Sequence, residues 1–216
     1  MSARRVLLAT RSQGKLREMR RIFAEFGLDA IDAQSAGIDE TAAEDDLEAF
    51  DTFEENALAK ARYFFERSDG MPTFADDSGL CVDILGGEPG VMSKRWAGRS
   101  DLSGKSLDDA NNAKLVARMN EARAINSAAF SDAGVYVCVA VFKDENGEAI
   151  RRGEMKGRVL GEPRGTGGFG YDPYFEAPDV GGTFAELSIE QTAQMSHRSR
   201  AFRALLAALR EEGRLG

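Results

Sequence analysis

Residues 5–27 read RVLLATRSQGKLREMRRIFAEFG, and their patterning decides the class of fold. Residues 5–10 (RVLLAT) are a short apolar run that stops at a polar turn, which predicts a buried strand. Beyond the turn, Leu16, Met19, Phe23 and Phe26 recur at helical spacing, and Gly27 supplies a stop. Strand, polar loop and helix in that order open an α/β chain.

Working outward, the acidic stretch 39–51 predicts irregular backbone, and Thr52-x-x-Glu55 is a capping box ahead of a helix over 53–65. Residues 72–75 predict a second strand, which Asp76-Asp77-Ser78-Gly79 is expected to break before an apolar run resumes at 80–85. Gly86-Gly87 marks a turn. Ser106-x-x-Asp109 resembles a helix start, with Leu107, Ala110, Leu115 and Met119 on its apolar face. Residues 128–142 contain VYVCVAVF, whose β-branched and aromatic density suits a central strand. Asn146-Gly147 signals a hairpin with a returning strand over 149–159. A glycine-rich loop covers 165–172, and 188–211 is mainly helical with Phe202, Leu205, Leu206 and Leu209 buried. Helices mixed with parallel-type and hairpin-type strands predict a mixed sheet in one domain.

The bulk numbers restrict function. At 216 residues the chain suits one domain, or one with two lobes. Lys and Arg total 28 against 36 Asp and Glu, a net charge of −8, which argues against a nucleic-acid partner. No run approaches the roughly 18 apolar residues of a membrane-spanning helix. The apolar run near the N-terminus is about five residues, shorter than a secretory core, so a protein that stays inside the cell is expected. Cys81 and Cys138 lie in apolar runs and read as small buried hydrophobes.

Four polar constellations fall at element junctions. Thr10-Arg11-Ser12-Gln13-Gly14-Lys15 joins strand to helix; it is a phosphate cradle of amides, hydroxyls and a lysine, or an ordinary capped turn. Asp76-Asp77-Ser78-Gly79 offers either a plain turn or hard oxygen ligands suited to Mg²⁺, with adjacent aspartates on opposite faces of an extended strand. Glu48 and Lys60 flank the capping box, as surface charges or as site residues with Lys60 pointing back toward the sheet edge. Gly167 to Pro173 with Ser196-His197-Arg198 supplies glycines, the aromatic faces of Phe169 and Tyr171, and a cluster of donors, for a ligand or for structure.

Five blocks then carry a resemblance: LLATRSQGKLRE, TFEENALAKA, FADDSGLCVDILGGEPGV, GTGGFGYDPYF and SHRSRAF. Together, in this order and nearly end to end, they resemble the inosine/xanthosine triphosphate pyrophosphatase family. The resemblance implies a three-layer α/β fold with an elongated mixed β-sheet, a cleft between two lobes, and a cytoplasmic homodimer. It implies that Thr10 to Lys15 hold the triphosphate of a nucleoside triphosphate substrate, with Lys15 and Lys60 neutralising its charge. Asp77 would be the general base and a Mg²⁺ ligand with Glu48, with Asp76 supporting that metal site. Ser78 would contact substrate, Phe169, Gly170, Tyr171 and Asp172 would enclose the base, and His197 and Arg198 would contact it. The implied reaction yields a nucleoside monophosphate and pyrophosphate. Hypoxanthine and xanthine carry an acceptor oxygen at C6 where adenine carries a donor, so a pocket of donors discriminates against adenine. Three positions depart from the family's pattern: Ser12 replaces Asn, Met92 replaces an aromatic, and Thr192 replaces a substrate-contacting Lys. Thr192 motivates a shifted base preference as one alternative; a nucleotide-binding module with little turnover is another.

Overall fold

The computed structural model describes residues 4–125, 127 and 129–215. The apolar run after Arg4 forms strand β1 (Arg5–Leu8), in which Val6, Leu7 and Leu8 are wholly buried. Helix α1 (Gln13–Glu25) follows, and Gly27 ends it at φ +69°. Strand β2 (Asp29–Asp32) pairs parallel with β1 at one edge of the sheet. Its half-buried DAID lacks an apolar run, so no strand was legible there. The acidic stretch holds a 3₁₀ turn (Ala42–Glu48) where irregular backbone was expected.

Helix α2 (Phe53–Arg67) is capped by Thr52, whose hydroxyl accepts from Glu55 N at 3.2 Å and donates to Glu55 Oε2 at 2.7 Å. Strand β3 (Thr73–Val82) is the main correction. Asp76-Asp77-Ser78-Gly79 does not break it; the strand runs straight through. Polar residues there predicted a turn, but Lys15 and Arg198 pair with Asp76 and Lys60 pairs with Asp77, so both charges are compensated without the backbone leaving the sheet. Helix α3 (Gly104–Ile125) starts two residues before the expected Ser106. Strands β4 (Ala133–Asp144) and β5 (Gly147–Val159) form the predicted hairpin, with Gly147 at φ +128°. Of the expected run 128–142, Ala128 lies outside the described residues, and the strand begins at Ala133. Strands β6 (Phe175–Ala177) and β7 (Gly182–Thr183), too short for a periodic signal, precede helices α4 (Ile189–Met195) and α5 (His197–Glu211).

The seven strands are ordered β2-β1-β3-β4-β5-β6-β7. β1 is parallel to β2 and β3, while β6 is antiparallel to β5 and β7, so the sheet is mixed. The chain divides into two compact units. The first comprises Met1–Asp77, Cys138–Gly153 and Ala193–Gly216, the second Ser78–Val137 and Glu154–Thr192.

In the first unit, alternate residues Val6, Leu8, Cys138, Ala140 and Phe142 pack with Leu16, Met19, Ile22 and Phe23 of α1 and Phe202, Leu205, Leu206 and Leu209 of α5. Phe74 lies edge-on to Phe23, with ring centroids 4.7 Å apart. The buried residues between them, Leu7, Val139 and Val141, turn to the other face. In the second unit Tyr136, Phe175 and Phe184 form an aromatic cluster with centroids 4.6–6.0 Å apart.

Candidate active site

The loop after β1 is a capped turn that also presents a helix N-terminus. Ser12 Oγ accepts from Lys15 N at 3.4 Å, and Thr10 Oγ1 accepts from Ser12 N at 3.2 Å. The two readings of this loop are therefore compatible, since capping leaves other first-turn amides pointing outward. Thr10, Arg11 and Gln13 line a cavity of about 380 Å³ with Asp32, Asp39 and Glu40. Arg11 is engaged by Glu44, at 2.8 and 3.0 Å, and by the Ile38 carbonyl at 3.0 Å. Gly14 is the second residue of α1, and Lys15 turns inward to Asp76.

Because β3 is extended at Asp76 and Asp77, their side chains leave on opposite faces. Asp76 faces α1 and α5. Its Oδ2 lies 2.9 Å from Lys15 Nζ and 3.3 Å from Arg198 Nε, and the Cys138 thiol approaches at 3.8 Å. Arg198 also donates to Glu18 Oε2 at 2.6 Å, and Glu18 accepts from the Ser196 hydroxyl. Burial pushes the Asp76 carboxyl up, but Lys15, Arg198 and Lys60 outweigh it and hold it well below the carboxylate range. Asp76 Oδ1 is buried with no hydrogen-bond partner among the described residues.

Asp77 faces α2. Lys60 Nζ lies 3.2 Å from Asp77 Oδ1 and 2.8 Å from Glu48 Oε1, and donates to the Asp76 carbonyl at 2.8 Å. Burial pushes the Lys60 ammonium down, but Asp77 and Glu48 raise it well above its ordinary value. Asn56 Nδ2 donates to Asp77 Oδ2 at 2.9 Å, and Asn56 is fixed in turn by the Phe50 backbone at 2.9 and 3.3 Å. One ammonium thus bridges Glu48 and Asp77, two of the three carboxylates that the resemblance assigns to the metal site, while the Asp76 side chain faces away from it. Among the described residues, no three His, Cys, Asp or Glu groups gather tightly enough to hold an ion by themselves.

His197 is buried at the first turn of α5, and desolvation, reinforced by Arg198, drives its imidazole well below the usual range. Ser78 is half-buried on β3. In the second unit, Asp172 closes the glycine-rich loop by accepting from Phe169 N at 2.9 Å and Tyr136 Oη at 3.2 Å. Tyr171 is buried with its hydroxyl on the Ser93 carbonyl at 2.8 Å, whereas Phe169 is half-buried. Of the two aromatic faces expected for a base, Phe169 is the accessible one. The Thr192 hydroxyl, on α4, donates back to the carbonyl of Ser188 just before that helix, at 3.1 Å.

Residues 6–208 match the model of the Ham1 family. The chain belongs to that family. A dITP/XTP pyrophosphatase of Symbiobacterium thermophilum is 47% identical over 217 residues, spanning 99% of this chain and 100% of that protein. One from Frankia alni is 43% identical, spanning 96% and 98%. Among solved structures, a HAM1 protein from Coxiella burnetii superposes with a TM-score of 0.78 at 30% identity, over 96% of this chain and 98% of that one.

Three residues of this Ham1 chain escaped the sequence reading: Glu18, Asn56 and Cys138. Asn56 had a usable signal, because it precedes Lys60 by four residues and so shares its helix face. Glu18 likewise lies three residues beyond Lys15. Cys138 reaches Asp76 from a strand 62 residues away, and no local spacing announces that contact.

Proposed function

We propose that this chain hydrolyses non-standard purine nucleoside triphosphates, such as those of inosine and xanthosine, to the monophosphate and pyrophosphate. The observation that carries the proposal is the Lys60 ammonium held between Glu48 Oε1 and Asp77 Oδ1 at 2.8 and 3.2 Å. Two carboxylates spaced to share one cation suit magnesium, which takes one or two protein carboxylates and completes its shell with phosphate and water oxygens. Glu48, Asp77, Asp76 and Glu18 also outnumber Lys15, Lys60 and Arg198 by one charge, so a triphosphate entering here needs further positive charge. Glu48 and Asp77 would hold the ion; it supplies charge neutralisation at the phosphates.

The chain's own groups supply the rest. Lys15 and Lys60 bind phosphate oxygens, aided by the amides that open α1. Asp77, oriented by Asn56, accepts a proton from water as the water oxygen bonds to the α-phosphorus, the α–β anhydride bond breaks and pyrophosphate leaves. Asp76 keeps Lys15 and Arg198 charged and in place, a supporting role that its buried ion pairs favour over direct metal ligation. Phe169 offers the purine a stacking face, with Gly170, Tyr171 and Asp172 shaping the loop; Ser78, His197 and Arg198 complete the expected substrate contacts. On the family resemblance we take the enzyme to be a cytoplasmic homodimer and its two units to be lobes of one domain.

Pyrophosphate release from inosine, xanthosine, guanosine and adenosine triphosphates, with and without Mg²⁺, tests the proposal. Turnover of the first two well above the others, dependent on the metal, is expected. Equal rates on all four remove the substrate assignment, and no release from any removes the reaction. A preference outside the inosine and xanthosine pair would favour the shifted-base reading that Thr192 motivates, since its short hydroxyl is turned back onto the Ser188 carbonyl.

A further inference from the structure

Within the second unit, helix α3 grips the glycine-rich loop at a single residue. Gly170 N donates to Asp108 Oδ2 at 2.9 Å, and Gly170 O accepts from Asn112 Nδ2 at 2.9 Å. Asp108 and Asn112 are four residues apart and therefore neighbours on one face of α3. Gly170 sits at φ +62°, a left-handed conformation that glycine adopts without strain. The adjacent Asn111 anchors the helix in turn, accepting from Ala97 N at 2.7 Å and donating to the Lys94 carbonyl at 3.0 Å. Beyond Gly170, Tyr171 is tied to Ser93 and Asp172 closes the loop on Phe169 N. The backbone on both sides of the Phe169 ring is thus held by side chains that do not belong to the loop's own motif or that fold back on it.

We propose that Asp108 and Asn112 are positioning residues for base recognition, holding Gly170 so that Phe169 presents its ring to the purine. This rests on the reading of residues 169–172 as the base-enclosing loop. Neither residue touches substrate; each acts through the Gly170 peptide. The two bonds have opposite polarity: position 108 must accept, and position 112 must donate. Asparagine at 108 retains an acceptor oxygen, whereas aspartate at 112 sets a carboxylate against the Gly170 carbonyl and loses the donor. A merely space-filling role would not distinguish these near-isosteric changes.

The test is steady-state hydrolysis of inosine triphosphate by Asp108→Ala, Asp108→Asn, Asn112→Asp and Phe169→Ala, with inhibition by inorganic tripolyphosphate measured in parallel. Asp108→Ala and Asn112→Asp are expected to raise KM about tenfold with kcat within about twofold, the size expected for losing one part-buried hydrogen bond. Asp108→Asn should stay near the unmodified enzyme, and the tripolyphosphate inhibition constant should not move in any variant. Unchanged KM in Asp108→Ala and Asn112→Asp alongside a raised KM in Phe169→Ala overturns the grip alone. Unchanged KM in Phe169→Ala overturns the base-loop reading and the proposal with it. Weakened tripolyphosphate inhibition in the α3 variants also overturns the proposal, because damage would then extend beyond the base. Should Asp108→Ala fail to fold, the near-isosteric Asn112→Asp carries the same comparison.

Discussion

At the scale of single residues, the site is a problem of placing charge out of water. Lys60 is buried and would be costly to keep ionised without Glu48 and Asp77 beside it. Asn56 completes the arrangement by holding the second oxygen of Asp77. Two substitutions separate the roles of these neighbours. Asp77→Asn removes the proton acceptor and should lower kcat by about 10²–10⁴-fold, the usual worth of a general base. Asn56→Ala leaves the carboxylate held by Lys60 at Oδ1 alone, so a smaller fall in kcat, about tenfold, is expected from lost orientation. Single-turnover measurements check both; Asn56→Ala matching or exceeding Asp77→Asn would show that Asp77 is not the base. The residue scale was also where the sequence was least complete. Lys15, Lys60, Asp76, Asp77 and Glu48 stand out as motif residues, and Glu18 and Asn56 share helix faces with Lys15 and Lys60, but the approach of Cys138 to Asp76 was not legible, because it comes from a strand 62 residues away.

At the scale of elements, the capped helices and apolar strands were legible and the polar strand was not. Thr52 announced α2, the period of Leu16, Met19 and Phe23 announced α1, and VYVCVAVF announced β4, because caps, periods and dense β-branched runs act locally. The continuity of β3 through two aspartates depends on cations delivered by other helices, which a local reading has no means to include. The packing of β5 against α5 offers a sharp test. A Cβ on Gly153 would sit 2.3 Å from His197 O and 2.4 Å from Ala201 N, both backbone atoms that cannot swing aside. Gly153→Ala should therefore destabilise the fold by about 3 kcal/mol and lower Tm by roughly 10 °C. Calorimetry showing no shift would mean that β5 and α5 do not approach so closely.

At the scale of the whole molecule, buried ionisable groups make stability depend on pH, with losses that begin at two different points as pH falls. His197 is the chain's single histidine, and its pKa is depressed by burial and by Arg198. The unfolded chain takes up that proton below about pH 6.5 while the native protein does not, so each further pH unit costs about 1.4 kcal/mol. The loss stops only once pH falls through the native value. Asp76, also depressed, adds a second loss that begins near the unfolded aspartate value of about pH 4. Tm measured from pH 7 to pH 5 should fall in the unmodified protein and stay nearly level in His197→Gln, whatever that variant's absolute stability. Identical slopes would place the imidazole in contact with solvent.

The alternation at Asp76 and Asp77 has a consequence for how this chain can change. Side chains along the first half of β3 are replaceable by others of similar volume, but their number is not. Removing one residue between Thr73 and Asp76 would shift Asp77 into the place that faces Lys15 and Arg198 and leave Lys60 opposite Ser78. A point substitution here alters one contact; a change of count leaves Lys60 without its aspartate and moves the other acid to the opposite face at a stroke.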